Sequence, residues 1–228
     1  MAVYDFPPGV YPYSYNAETT PANTVFRAES GATQTLKRSG ALWTHKATFR
    51  NLREQRRILL RAMLTRLDGA VHRINLPIFD NSGIPSDLYC APPGRDVDGQ
   101  AVPARGNILY VQNVPTTSTP NSQPPGGILM VGSRFTIDYS VAPAGTTEYN
   151  TLGYRMHEVM DTLVVDNYLR LVVWPAVVAT PFTGRKLLTT ALKDTCILAS
   201  EVALPSNTGG QFQTQLTFVT DLLVGTPA

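Results

Sequence analysis

The side chains best able to do chemistry in this chain are three histidines, His45, His72 and His157, two cysteines, Cys90 and Cys196, and a few closely spaced carboxylates. None of them falls into a catalytic spacing. There is no His-Glu-x-x-His pair for a zinc hydrolase, no Gly-x-Ser-x-Gly elbow, and no Gly-x4-Gly-Lys-Ser/Thr phosphate loop. Asp96-Val97-Asp98-Gly99 resembles a fragment of a calcium loop but lacks the third aspartate and the glutamate at position twelve. Glu158 and Asp161 are read as surface strand charges, and two cysteines this far apart form neither a metal knuckle nor a disulfide scaffold. His45 alternates with Trp43, Ala47 and Phe49, which makes it a hydrogen-bonded core histidine rather than a ligand or base. The chain is therefore expected to be no enzyme, with no cofactor, no metal and no catalytic residue.

What stands out is a ridge of cations. In the stretch NLREQRRILLRAMLTRLDG, Arg53, Arg57 and Arg61 recur every four residues, with Ile58 projecting beside them. Like charges at that spacing repel by a few tenths of a kcal/mol, so the ridge adds nothing to an isolated helix. Arginine is suited to forked pairing with carboxylates, and the ridge is read as a face for an acidic partner or neighbouring subunit, against the alternative of a solvated basic surface. The helix that carries it is expected at about residues 52–67. Asn51 and Glu54 form a capping box, Leu52, Leu59, Leu60, Met63 and Leu67 make an apolar stripe, and Gly69 stops it.

The charge distribution fits association. The formal net charge is +2, yet Lys46 to Arg73 holds eight basic residues against Glu54 and Asp68, leaving the remainder of the chain net acidic. Patches of opposite sign suit self-association better than nucleic-acid binding, which calls for a general basic excess. The N-terminal MAVYDFPPGVYPYSY lacks the pattern of a signal peptide and no apolar run reaches membrane-span length, so a soluble product with reduced cysteines and no membrane insertion is expected.

The 228 residues read as a mainly β chain, a β-sandwich or barrel with one packed helix. Residues 1–24, rich in Pro, Tyr and Thr, are expected to form an extended arm able to lie along a neighbour. Residues 25–79 and 127–228 form the core, and the Pro/Gly-rich residues 80–126 a long loop insertion with one short strand, ILYVQ. Strands are also expected in ALWTHKATFR, AVHRINLPIF, Arg134–Tyr139, Tyr154–Val164, Tyr168–Trp174, Thr195–Val202 and QFQTQLTFVTDLL. Asp166-Asn167 should turn a hairpin that Pro175 closes.

This order of pieces resembles the distal tail proteins and related tail-tip adaptors of long-tailed bacteriophages. The resemblance rests on RAESGATQTLKRSGALWTHKATFRNL, the helix ending LLRAMLTRLDG, then HRINLP, GGILMVGSRFTID and MHEVMDTLVVDNYLRLVVWP. Where that family more often has Gly-Asp, this chain has Gly132-Ser133. The resemblance implies a tail-tube-like sandwich and a structural virion protein, made in the bacterial host cytoplasm and carried in the tail. It also implies partners: copies of itself in a ring, commonly hexameric, and other phage tail proteins such as tube, hub and tape measure. The subunit interface is expected at Arg53, Arg57, Ile58 and Arg61. The competing expectation is a sandwich module that binds host-surface glycan through Tyr89, Tyr110 or the N-terminal tyrosines.

Overall fold

A computed structural model of the chain describes residues 2–20, 23–27, 33–37, 42–79, 88–91, 106–112, 129–139, 153–165, 168–177, 185–199 and 213–221. The strands are β1 (Val3–Asp5), β2 (Ser14–Thr20), β3 (Asn23–Arg27), β4 (Thr33–Lys37), β5 (Leu42–Arg50), β6 (Arg73–Pro77), β7 (Tyr89–Cys90), β8 (Gly106–Gln112), β9 (Arg134–Asp138), β10 (Tyr154–Val165), β11 (Tyr168–Val177), β12 (Lys193–Leu198) and β13 (Gln213–Thr220). Among the described residues one helix, α1 (Glu54–Leu67), follows β5. The protein is mainly β and sandwich-like. One sheet runs β1-β6-β12-β13-β5-β2, a second β7-β8-β11-β10-β9, and β3 pairs with β4 in a separate hairpin.

The alternation in β5 places Trp43, His45, Ala47 and Phe49 on the buried face, as its sequence requires. In β13, Leu216 and Phe218 point the same way, joined by Thr214 and Thr220, while Gln213 and Gln215 face solvent. Part of this face is covered by α1, whose Leu60, Met63, Leu64 and Leu67 pack with Phe49, Ile74, Leu76, Cys196, Leu198, Leu216 and Phe218. Burying four such side chains contributes on the order of 6–12 kcal/mol before entropy is counted. The five-stranded sheet holds its own cluster, built on Leu109, Val111, Phe135, Ile137, Val159, Leu171 and Val173. A smaller cluster of Ala17, Trp43, Ile78, Met156 and Leu192 joins the two.

Several sequence expectations are corrected. Residues 1–24 are no free arm: β1 pairs parallel with β6, β2 pairs antiparallel with β5, and Phe6 and Val10 are buried under the helix-covered core. β1 is too short to show a period, and β2, an edge strand, points Tyr15 and Ala17 inward between polar residues. Within the expected insertion 80–126, the described residues 88–91 and 106–112 belong to the core: β7 and β8 are strands of the second sheet and Leu88, Cys90, Leu109 and Val111 are fully buried. The Asp96–Gly99 fragment lies outside the described residues.

Asn51 does not cap the helix. It takes φ 51° to turn the chain out of β5, and α1 begins at Glu54 behind Arg53, which makes no side-chain cap hydrogen bond. Asparagine tolerates that left-handed backbone, so the residue serves the turn rather than the cap. At the other end Asp68 and Gly69, at φ 46° and 64°, stop the helix where the sequence places its end. In the apolar stripe Leu64 is buried, whereas Leu59 lies about 100° round from Leu60 and is 40% exposed.

The hairpin forms as expected. β10 and β11 pair from Val165↔Tyr168 to Glu158↔Trp174, so their pairing stops just before Pro175 although β11 continues to Val177. The turn at Asp166-Asn167 lies outside the described residues. Where β10 begins, Gly153 has φ 63°, and a Cβ there would sit 2.3 Å from Thr195 Oγ1. That hydroxyl is fixed, accepting from Tyr154 N at 2.8 Å and donating to Asn75 Oδ1 at 2.8 Å. Gly153→Ala is therefore expected to destabilise the fold by about 2 kcal/mol or more, from left-handed strain and overlap together, read as a lower midpoint in urea.

Candidate functional site

Two constellations could carry function: a polar row inside the sheet, and the outer face of α1. The row crosses the buried face of the six-stranded sheet from β12 to β2. The register that pairs Cys196 with Thr220 and Phe218 with His45 brings Asp194, Thr220, His45 and Tyr15 together from four strands. Asp194 is fully buried and is the hub. Its Oδ2 accepts from the Thr220 hydroxyl at 2.5 Å, from His45 Nε2 at 3.0 Å and from the Cys196 thiol at 3.6 Å, and its Oδ1 accepts from Met156 N at 3.4 Å. On the other ring nitrogen, His45 Nδ1 meets the Tyr15 hydroxyl at 2.7 Å. A neutral imidazole with hydrogen on Nε2 satisfies both contacts, Tyr15 donating to Nδ1.

The row also fastens one sheet to the other. Asp194 holds the amide of Met156 while Trp43 Nε1 donates to the carbonyl of Met156 at 2.9 Å, so both backbone groups of one β10 residue are held from the first sheet. Nearby, Thr136 Oγ1 donates to the Lys193 carbonyl at 2.8 Å. Arg155, 4% exposed, lies within electrostatic reach of Asp194 and Asp221, and Arg73 pairs with Asp221. Burial lowers the affinity of Arg155 for its proton, and the two carboxylates oppose that shift.

Donor atoms of His45, Asp194 and Cys196 lie within 4.8 Å of one another, close enough for a shared metal ion. The chemistry of the set argues otherwise. The three groups already satisfy each other, and the carboxylates Asp194 and Asp221 are balanced by the guanidiniums Arg73 and Arg155. Burial and the Asp194 carboxylate hold the Cys196 thiol well above its ordinary range, so it offers no thiolate at neutral pH. A divalent cation would leave this buried set with excess positive charge. Within the row only Tyr15 is half-buried, and the other members are buried. His45 is a hydrogen-bonded core histidine, as its alternation in β5 predicts.

The remaining candidates resolve individually. His157 Nδ1 bonds to the Pro175 carbonyl at 2.8 Å, its ring stacks on Phe135, and burial pushes its pKa down to about 4. His72 Nδ1 accepts from Ala2 N at 3.3 Å. Cys90 and Cys196 are free and buried, and desolvation pushes the Cys90 thiol up to about 12. Glu158 pairs with Arg134, and Asp161 accepts from Thr162 N, so each carboxylate has its own partner. Of the tyrosines proposed for glycan, Tyr110 is buried and Tyr89 lies under Lys186, whereas Tyr11 and Tyr13 are exposed.

The outer face of α1 is the second constellation. Arg53 and Arg61 are exposed, Arg57 is half-buried, and Ile58 is 58% exposed. About 160° round from the buried stripe, Ile58 sits at the outer pole, with Arg57 and Arg61 on one flank and Leu59 on the other. Among the described residues none of the three arginines forms an ion pair. Sequence reasoning found this face because it lies within one helix. It missed Asp194, Arg155 and Asp221, whose only local signal is a charged residue at an inward strand position.

No known protein family and no curated protein matches the chain. Among the described residues no helix is long and apolar enough to cross a membrane.

Proposed function

We propose that this chain is a structural subunit of a bacteriophage tail tip, which associates head to tail with its own copies into a ring joining the tail tube to tip or baseplate components. The observation that carries the reading is the outer face of α1, where Ile58 stands exposed beside Arg57 and Arg61, and Arg53, Arg57 and Arg61 form no ion pair among the described residues. Like charges at that spacing repel and an exposed isoleucine adds nothing to folding, so the face contributes little to the stability of a single sandwich. A neighbour that offers carboxylates and apolar surface gives both sets a partner. The order of elements, with a helix laid on one face of a mainly β sandwich, supports the same reading through the family resemblance in the sequence. The ring is hexameric on that resemblance, its partners are tail tube, hub and tape-measure proteins, and its location is the virion tail. The glycan-binding alternative loses Tyr110, which is enclosed, and keeps the exposed Tyr11 and Tyr13 and the half-buried Tyr89.

The test is charge reversal. Arg57→Glu with Arg61→Glu, at one half-buried and one exposed position, is expected to change unfolding stability by about 1 kcal/mol, while association weakens by several kcal/mol. Light scattering should show assemblies for the parent chain, alone or with tail components, and monomers for the double variant. A parent chain that stays monomeric under both conditions contradicts the reading.

A further inference from the structure

Read outward from the core, the polar row runs carboxylate, imidazole, phenol. Asp194 Oδ2 accepts from His45 Nε2 at 3.0 Å, and the Tyr15 hydroxyl donates to His45 Nδ1 at 2.7 Å. We infer that Tyr15 is a redox-active tyrosine, which gives up one electron to a one-electron oxidant while its phenolic proton passes to His45. The inference is independent of the assembly proposed above.

Removing an electron from a phenol turns its O–H into a strong acid, so the oxidation is favoured where a base stands ready for the proton. A tyrosine hydroxyl in solvent has only water, a weak base. Tyr15 has an imidazole nitrogen already in hydrogen-bond contact, and histidine is the side chain suited to carrying a proton. The step balances: Tyr15 loses one electron and one proton and becomes a neutral phenoxyl radical, the oxidant gains the electron, and His45 becomes an imidazolium. One positive charge is then left in the row. It rests against the Asp194 carboxylate, which steadies it as the aspartate of a hydrolase triad steadies its imidazolium.

The electron has a route that spares the oxidant from reaching the hydroxyl. Phe79 meets the Tyr15 ring edge-on at 5.3 Å and the Tyr11 ring at 6.3 Å, and Tyr11 is 64% exposed. On the inner side the Trp43 ring stacks on His45 at 6.4 Å, but its Nε1–H faces the Met156 carbonyl, which takes up no proton. An electron deficiency in this aromatic cluster therefore comes to rest on Tyr15. Other tyrosines are placed against oxidation. Arg50, Lys186 and Lys193 stand over the rings of Tyr13, Tyr89 and Tyr154, where a cation opposes the loss of an electron.

The experiment oxidises the full chain with photogenerated tris(bipyridine)ruthenium(III) and reads the trapped radical by electron paramagnetic resonance. The parent should give a neutral tyrosyl radical, and Tyr15→Phe should lose most of that signal although nine of the ten tyrosines remain. His45→Gln keeps an acceptor for Tyr15 and a donor for Asp194, but its amide takes up no proton, so it should lose the signal to the same extent. If that variant does not fold, the parent decides alone: after exchange into heavy water, pulsed resonance should resolve a deuteron held against the phenoxyl oxygen by His45. A signal undiminished in Tyr15→Phe, a signal undiminished in folded His45→Gln, or a phenoxyl oxygen with no such deuteron overturns the inference.

Discussion

Asp194→Ala is expected to cost about 3–5 kcal/mol of folding stability, the scale measured when one partner of a buried charged set is removed. The carboxylate receives hydrogen bonds from Thr220, His45 and Met156 N, and it is one of two anions opposite Arg73 and Arg155. Its loss leaves His45 Nε2 and Met156 N without that acceptor, the Thr220 hydroxyl with only the Trp43 carbonyl at 3.4 Å, and a buried guanidinium short of compensation. Domains of this size hold on the order of 5–15 kcal/mol in total, so the variant should unfold at much lower urea and could lose the joint between the sheets first. Asp194→Asn keeps shape and some acceptor capacity, so it should fall between the parent and Asp194→Ala. Urea midpoints of the three proteins read the effect directly. Equal midpoints would mean that the row contributes nothing net.

Acid is expected to weaken the fold through His157. Its folded pKa is about 4, lowered first by burial, whereas the unfolded chain carries an ordinary histidine near 6.5. Between those values the unfolded state binds the extra proton, so stability contributed by the neutral ring is complete above about pH 6.5 and is lost as pH falls toward 4. The sum over that window is about 3 kcal/mol. Protonation is opposed by the enclosed environment and by Arg155, and favoured by the Pro175 carbonyl and Asp194. Carboxylates also titrate near the lower end, so the comparison must be with His157→Gln, which can still bond to the Pro175 carbonyl. The parent should lose stability more steeply than the variant between pH 6.5 and 4. Parallel curves would show that His157 is not the group responsible.

Legibility followed the reach of each interaction. Strands with one wet face, such as β5 and β13, show their alternation directly, and the end of α1 is written in Asp68 and Gly69. Strands covered on both sides show less, which is why Thr136 is buried although its neighbours Phe135 and Ile137 alone read as inward. β8 was legible as the short strand ILYVQ, but its place in the second sheet was not, and β7 was hidden because it is two residues set in Pro/Gly-rich chain, where composition outweighs period. His45 could be recognised as a core histidine, but its partner Asp194 lies 149 residues away and Tyr15 lies 30 residues before it. No local pattern couples such positions. Asn51 misled for a different reason: the residue that favours a helix cap also favours a left-handed turn, and the sharp exit from β5 decided between them.

If the arginine-bearing face of α1 meets another copy of the chain, electron microscopy of the purified protein or of the particle that carries it will show the contact. The expected image is a closed ring of repeated subunits with Arg53, Arg57, Ile58 and Arg61 at every boundary. Rings whose boundaries leave that helix face in open solvent would contradict it.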